Sequence, residues 1–249
     1  MPRRRVFITG LGMVSPLGEN PREVFDRVYS AQSAVRMVRS GTADFGSDVL
    51  LARAAFDPGD RIPKVARIFM ARAAQMAVVA SLGALESSRL LDDPRLAGAG
   101  VYMGCGLGGA EILEQSYRIF FADRSRRAKP TTVPLIMASG PASHVSMRFG
   151  LRGPTHTYSI ACASSAVSIG EAFRAIRDGY LELALAGGAE AMLNDGSVAA
   201  WERLGVMARE HAEGAAASCR PFDAERTGLV LGEGSVMLTV ESEGSMRER

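Results

Sequence analysis

Cys162 is the residue around which chemistry can be assembled. It stands where an extended stretch, Thr155 to Ile160, gives way to a run of helical character from Ala163 to Arg177. A sulfur at a helix start faces backbone N–H groups that lack intrahelical partners, and these favour negative charge on it. On so sharp a turn the side chain reaches a substrate, while the neighbouring amides of Cys162 and Ala163 can hold a developing oxyanion. The competing reading is a buried structural cysteine. The flanks favour the nucleophile, because Ala161, Ala163, Ser164 and Ser165 leave room for a chain to approach, which a packing cysteine would not need.

A second candidate, Gly104-Cys105-Gly106-Leu107-Gly108-Gly109, satisfies G-x-G-x-x-G before a helix expected over Ala110 to Ala122. A dinucleotide site also requires a second strand and then an acidic residue about 20 positions on. The chain instead runs through Phe120 to Arg127, read as helix end and loop, so no nucleotide site is expected. His144, His156 and His211 lack the sequence setting of a triad and are expected to be structural or solvated. Cys105, Cys162 and Cys219 have neither disulfide nor metal-ligand spacing; no metal is expected, and a reducing, cytoplasmic compartment is.

Elements must position these residues. Of the 249 residues 47% are hydrophobic and 22% charged, with a formal net charge of +2, the composition of a globular enzyme and no indication of nucleic-acid binding. No apolar run reaches the ~20 residues that cross a bilayer, so no membrane association is expected. The basic start, Met1 to Arg5, leads into a first strand at Val6 to Ile8, too short for a signal-peptide core. Asn20-Pro21-Arg22-Glu23 opens a helix expected to run to about Ser33, followed by a polar, irregular stretch from Arg36 to Pro63. Val65 to Leu91 reads as one long helix, Ala99 to Met103 as a strand, Leu181 to Glu190 as a buried parallel strand, and Gly234 to Val240 as the closing strand. The alternation predicts one domain with a mostly parallel sheet covered on both faces.

Five motifs, in order, resemble the β-ketoacyl-acyl carrier protein synthases, closest to the type II elongating condensing enzymes. They are Val6 to Gly12 with Ser15-Pro16-Leu17-Gly18, Gly150 to Pro154, Ala161 to Ser165, Ala186 to Glu190, and Arg220-Pro221-Phe222-Asp223 leading to Gly228 and Leu231-Gly232-Glu233-Gly234. They belong to the family's N-terminal half. The resemblance implies the N-terminal half of a thiolase-like α/β fold, a five-stranded mixed sheet with helices on both faces.

The resemblance further implies that Cys162 takes an acyl group from the phosphopantetheine arm of an acyl carrier protein. A decarboxylative condensation with a malonyl thioester follows, in fatty acid or polyketide-type synthesis, with no cofactor of the enzyme's own. The family's two histidines, lysine and glycine-rich oxyanion segment have no counterpart motifs here, so the second step is expected to need a C-terminal half outside this sequence, in a separate half or a partner ketosynthase subunit. Gly106, Leu107 and Gly108, with Ile136 and Met137, are candidates for lining the acyl channel; Met103 and Phe222 are weighed for it against core packing. Lys64, Arg67, Arg72, Arg124, Arg126, Arg127 and Lys129 are candidates for docking the carrier protein, against a plain solvated surface. Family members pair as homodimers through the strand here numbered Thr157 to Ile160. Two other classes share features: a chain-length-factor-like partner, which generally lacks the nucleophile, and a thiolase-like enzyme acting on coenzyme A thioesters.

Overall fold

A computed structural model describes residues 3–39, 47–122 and 128–248. In chain order it forms β1 (Val6–Val14), α1 (Pro21–Tyr29), β2 (Arg36–Val38), β3 (Val49–Ala52), α2 (Lys64–Arg67), α3 (Arg72–Ser88), β4 (Gly100–Gly104), α4 (Ala110–Ala122) and α5 (Thr132–Ile136). There follow α6 (Gly140–Phe149), β5 (Thr155–Tyr158), α7 (Ser164–Arg177), β6 (Leu183–Glu190), α8 (Asp195–Arg203), β7 (Leu231–Gly232), β8 (Gly234–Ser242) and α9 (Glu243–Arg247).

The main sheet has the order β1-β8-β6-β4-β5. Strands β6, β4 and β5 pair in parallel and β1 points the same way, whereas β8, between β1 and β6, is antiparallel to both, so the sheet is mixed with one reversed strand. The residue pattern of a strand reads alike from either end, which is why the reversal of β8 escapes the sequence. Alternate residues face opposite layers. Val101, Met103, Leu183, Leu185 and Met237 join the α3 side chains Ala77, Ala80 and Ala84 in one core, while Tyr102, Ala184, Ala186 and Val240 meet Ala172 and Ile176 of α7 in another. Met103 is wholly buried there, as a packing residue.

Three boundaries depart from expectation. Helix α1 starts at the Asn20 cap, whose side chain accepts from Arg22 and Glu23 N–H, but it ends at Tyr29 rather than near Ser33, and Ala31 is left-handed at φ 55°. The stretch from Arg36 to Pro63 is not wholly irregular: β2 and β3 pair within it, and β3 adds β7 in parallel, Leu51 opposite Leu231, making a second, three-stranded sheet. The helix expected over Val65 to Leu91 is two, α2 and α3. Ala71 offers α3 no capping side chain; instead Glu111 Oε1 accepts the Arg72 N–H at 3.0 Å from α4. At the other end Arg89 closes the helix in the left-handed conformation, φ 59°.

Candidate active site

The approach to Cys162 is built by a strand, a strained turn and a helix. Strand β5 ends at Tyr158, Ala161 takes φ 47°, outside the range an alanine ordinarily adopts, and α7 begins at Ser164 with Ala163 as its cap. The Ser164 hydroxyl holds this turn from within: it accepts the Ile160 N–H at 2.8 Å and donates to the Ala161 carbonyl at 2.7 Å. Ala163 N–H bonds the Ile160 carbonyl at 3.1 Å. That amide is therefore occupied, and of the two expected oxyanion donors only Cys162 N–H lacks a backbone acceptor among the described residues. The thiol of Cys162 is exposed.

The small residues after Cys162 also meet a packing demand. Gly104 of β4 and Gly188 of β6 are register partners, and a Cβ on either would strike the first turn of α7: at Gly104 it would lie 2.5 Å from the Ser164 carbonyl carbon, and at Gly188 it would collide with Ser165 Oγ. Paired glycines thus let the helix start settle directly on the sheet. One turn further on, buried Ser168 donates to the Gly187 carbonyl at 2.6 Å.

Cys162 opens onto a cavity of about 880 Å³ whose apolar wall includes Val14, Leu107, Ile169, Met192, Trp201 and Val236. Gly106 also lines it; Gly108, Ile136 and Met137, expected there, do not. Gly108 and Met137 border a narrow crevice with Phe69 and His144, because a Cβ at Gly108 or Gly109 would strike the backbone of Ala138 or Leu135: this half of the glycine turn receives the α5 segment. Phe222, weighed as a tunnel residue, is fully exposed.

The glycine-rich turn does bind an anion, an internal one. Gly106 and Leu107 N–H both donate to Glu190 Oε2, at 2.7 and 3.2 Å, and Ser159 Oγ donates to the Gly106 carbonyl at 3.2 Å. A part-buried carboxylate from the end of β6 occupies the place a phosphate would take in a nucleotide site. Burial pushes the Glu190 carboxyl upward, and the backbone donors partly oppose this. Cys105, in the same turn, is buried and its thiol is pushed up to about 12, chiefly by desolvation. Glu190, Ser159, Ser164, Met192 and Trp201 were not singled out as site residues from the sequence. The one local signal was a charge, Glu190, closing an otherwise apolar strand.

No histidine lines the cavity. His144 is half-buried, bonded to the Phe69 carbonyl and held below its usual range by desolvation; His156 packs against Tyr102, ring centres 5.5 Å apart; His211 lies between Glu213 and Glu225 at 3.7 and 3.6 Å. Among the described residues no group of three His, Cys, Asp or Glu side chains could hold a metal ion, and no helix is long and apolar enough to cross a membrane.

The docking candidates divide. Arg72 is clamped by Glu233, both contacts at 2.8 Å, and donates to the Ala54 carbonyl at 2.9 Å; Arg67 donates to the Ile62 carbonyl at 2.9 Å and to that of Gly59. Both are tied to the fold, which corrects their reading as docking charges. Lys64 and Lys129 are exposed, and Arg124, Arg126 and Arg127 lie outside the described residues. A second open groove, about 1130 Å³ and bordered by Arg4, Arg5 and Arg95, contains none of the motif residues, and these arginines pair with Glu182, Glu243 and Asp93.

The site is thus an exposed cysteine on a strand-to-helix elbow, open to an apolar cavity at one end of the mixed sheet, where Val14 of β1, Gly104 of β4, Gly187 of β6 and Gly234 of β8 meet, and such a setting leaves a thiol accessible as a nucleophile. The chain belongs to the β-ketoacyl synthase family: residues 3–244 match its N-terminal domain, described as "Beta-ketoacyl synthase, N-terminal domain". It is 36% identical over 241 residues to Nodulation protein E of Rhizobium leguminosarum bv. trifolii, covering 96% of this chain and 58% of that one. It is 29% identical over 248 residues to 3-oxoacyl-[acyl-carrier-protein] synthase 2 of Staphylococcus aureus (strain N315), covering 99% and 59%. A β-ketoacyl synthase crystal structure from Burkholderia phymatum STM815 superposes with a TM-score of 0.88 at 30% identity, over 99% of this chain and 61% of that chain. The chain thus spans about three-fifths of the length of the relatives it matches.

Proposed function

We propose that Cys162 accepts an acyl group from a carrier-protein thioester, as the first half of a ketosynthase reaction. The observation that carries this is the exposed thiol at the elbow before α7, open to an apolar cavity. The sulfur attacks the thioester carbonyl carbon; the new C–S bond to Cys162 forms as the bond to the phosphopantetheine sulfur breaks, and the carrier leaves as its thiol. Oxygen charge in the tetrahedral intermediate is met by Cys162 N–H. In the second half, loss of carbon dioxide from a malonyl thioester yields an enolate whose carbon attacks the acyl group and releases Cys162.

That enolate requires convergent donors, and removal of one such donor typically costs about 10²-fold or more in rate. The Cys162 cavity holds no histidine to serve, so we assign condensation to donors beyond these 249 residues, in a C-terminal half or partner subunit. A carrier protein is the favoured donor because the Staphylococcus relative is named for one, and exposed Lys64 and Lys129 suit an acidic surface. A second copy fits the outer edge of β5, the terminal strand of the sheet, where Thr155 and His156 are exposed. Three free cysteines suit a reducing cytoplasm.

The test supplies the 249-residue chain with acyl-carrier and malonyl-carrier thioesters together. Acyl-Cys162 should accumulate without 3-ketoacyl product, and brisk product formation with nothing added would overturn the division of labour. Donors carried on coenzyme A, run in parallel, should acylate more slowly; the reverse order would favour a thiolase-like reading.

A further inference from the structure

We propose that Glu190 is a positioning residue that sets how long an apolar chain the Cys162 cavity admits, by fixing the Gly106–Leu107 turn against the end of β6. The inference rests on the reading of that cavity as the place of the acyl chain. Its basis is a three-point tether. The Glu190 carboxylate takes both N–H groups of the turn on one oxygen, while Ser159, three residues before the nucleophile, donates to the Gly106 carbonyl. The backbone at 106 and 107 is thereby tied both to β6 and to the segment carrying Cys162. Leu107 is 50% exposed and lines the cavity, so its side chain is an unpacked apolar group on a backbone held in place by a charge.

Without that charge the balance changes. Hydrogen bonds from backbone amides to a carboxylate are roughly twice as strong as neutral ones, so glutamine at 190 would keep an acceptor but hold the turn less firmly. A half-exposed leucine released beside Ile169, Met192 and Trp201 gains by folding onto them, because burial of apolar area is favourable. The cavity would then shorten. Glu190 itself touches no reacting atom in this scheme; it acts through Leu107.

The experiment compares Cys162 modification by N-ethylmaleimide and N-octylmaleimide, followed by peptide mass spectrometry so that Cys219 and Cys105 are scored separately. Glu190→Gln should lower the octyl-to-ethyl rate ratio about fivefold, a loss on the scale of one charge-assisted hydrogen bond. Leu107→Ala should not lower it, and Glu190→Gln added to Leu107→Ala should have no further effect, the non-additivity expected if one residue acts through the other. An unchanged ratio in Glu190→Gln, or an equal drop with and without Leu107, would overturn the proposal. Should Glu190→Gln fail to fold, Gly106→Ala displaces the carboxylate from the other side, its Cβ falling 2.7 Å from Glu190 Oε2, and must lower the ratio too. Because maleimides need no acyl transfer, a chain that takes no acyl group yet shows the shift overturns the acyl reading and supports the role of Glu190 in shaping the cavity.

Discussion

Ser164, the first residue of α7, accepts the backbone N–H of Ile160 at 2.8 Å, so the helix that follows Cys162 fixes the strand end that precedes it. With 4% exposure the hydroxyl is shielded from water, and nothing replaces it when it is removed. Ser164→Ala should lower the unfolding free energy by about 1 kcal/mol, the net worth of one hydrogen bond, since the donor left behind on Ile160 is only part-buried. Denaturant unfolding measures this, and a change of only a few tenths would show that the turn is held by other means.

The glycine pair beneath α7 should be less forgiving. At Gly188 an added methyl meets Ser165 Oγ and, at 2.8 Å, the Gly104 carbonyl oxygen, so neither helix nor sheet can yield locally. Gly188→Ala is expected to cost about 3 kcal/mol or more through overpacking. Thermal unfolding should show a large drop, together with slowed alkylation of Cys162.

Arg72 and Lys64 should separate stability from docking. Glu233 has a side chain only 2% exposed, and Arg72→Ala leaves its charge without the guanidinium, at an expected cost of about 3 kcal/mol. Lys64→Ala, on an exposed position, should leave stability within about 0.5 kcal/mol and weaken carrier-protein binding instead. Calorimetric unfolding beside titration with an acyl carrier protein distinguishes the two.

The buried thiol of Cys105 should resist ionisation. Desolvation, with Glu190 adding to it, pushes Cys105 up to about 12, against an unfolded value of about 8.5. The folded state binds this proton more tightly, so the stability it contributes is full below the unfolded value and is lost as pH rises toward 12. At pH 8 iodoacetamide should modify exposed Cys162 and Cys219 and spare Cys105, and peptide mapping reads the outcome directly.

The elbow that carries Cys162 was readable in the sequence because it is local: a strand, small residues and a helix start lie within Thr155 to Arg177. Helix α4 was readable for the same reason, and its observed bounds, Ala110 and Ala122, are those expected. What escaped depends on partners distant in the chain. The start of α3 is set by Glu111, 39 residues away, and the glycine turn is claimed by Glu190, 84 residues from Gly106. Strand β3 is four residues in a polar stretch, stabilised by a pairing with Leu231 that no local pattern announces. Arg67 and Arg72 looked like surface charges because a carbonyl or carboxylate waiting across the fold leaves no mark on neighbouring residues.

Acylation of Cys162 is tested most directly by intact-protein and peptide mass spectrometry after incubation with an acyl-loaded carrier protein. One acyl group per chain is expected, located on Cys162 and absent from Cys162→Ser. No adduct on a thiol that iodoacetamide still alkylates, or an adduct that persists in Cys162→Ser, would contradict it.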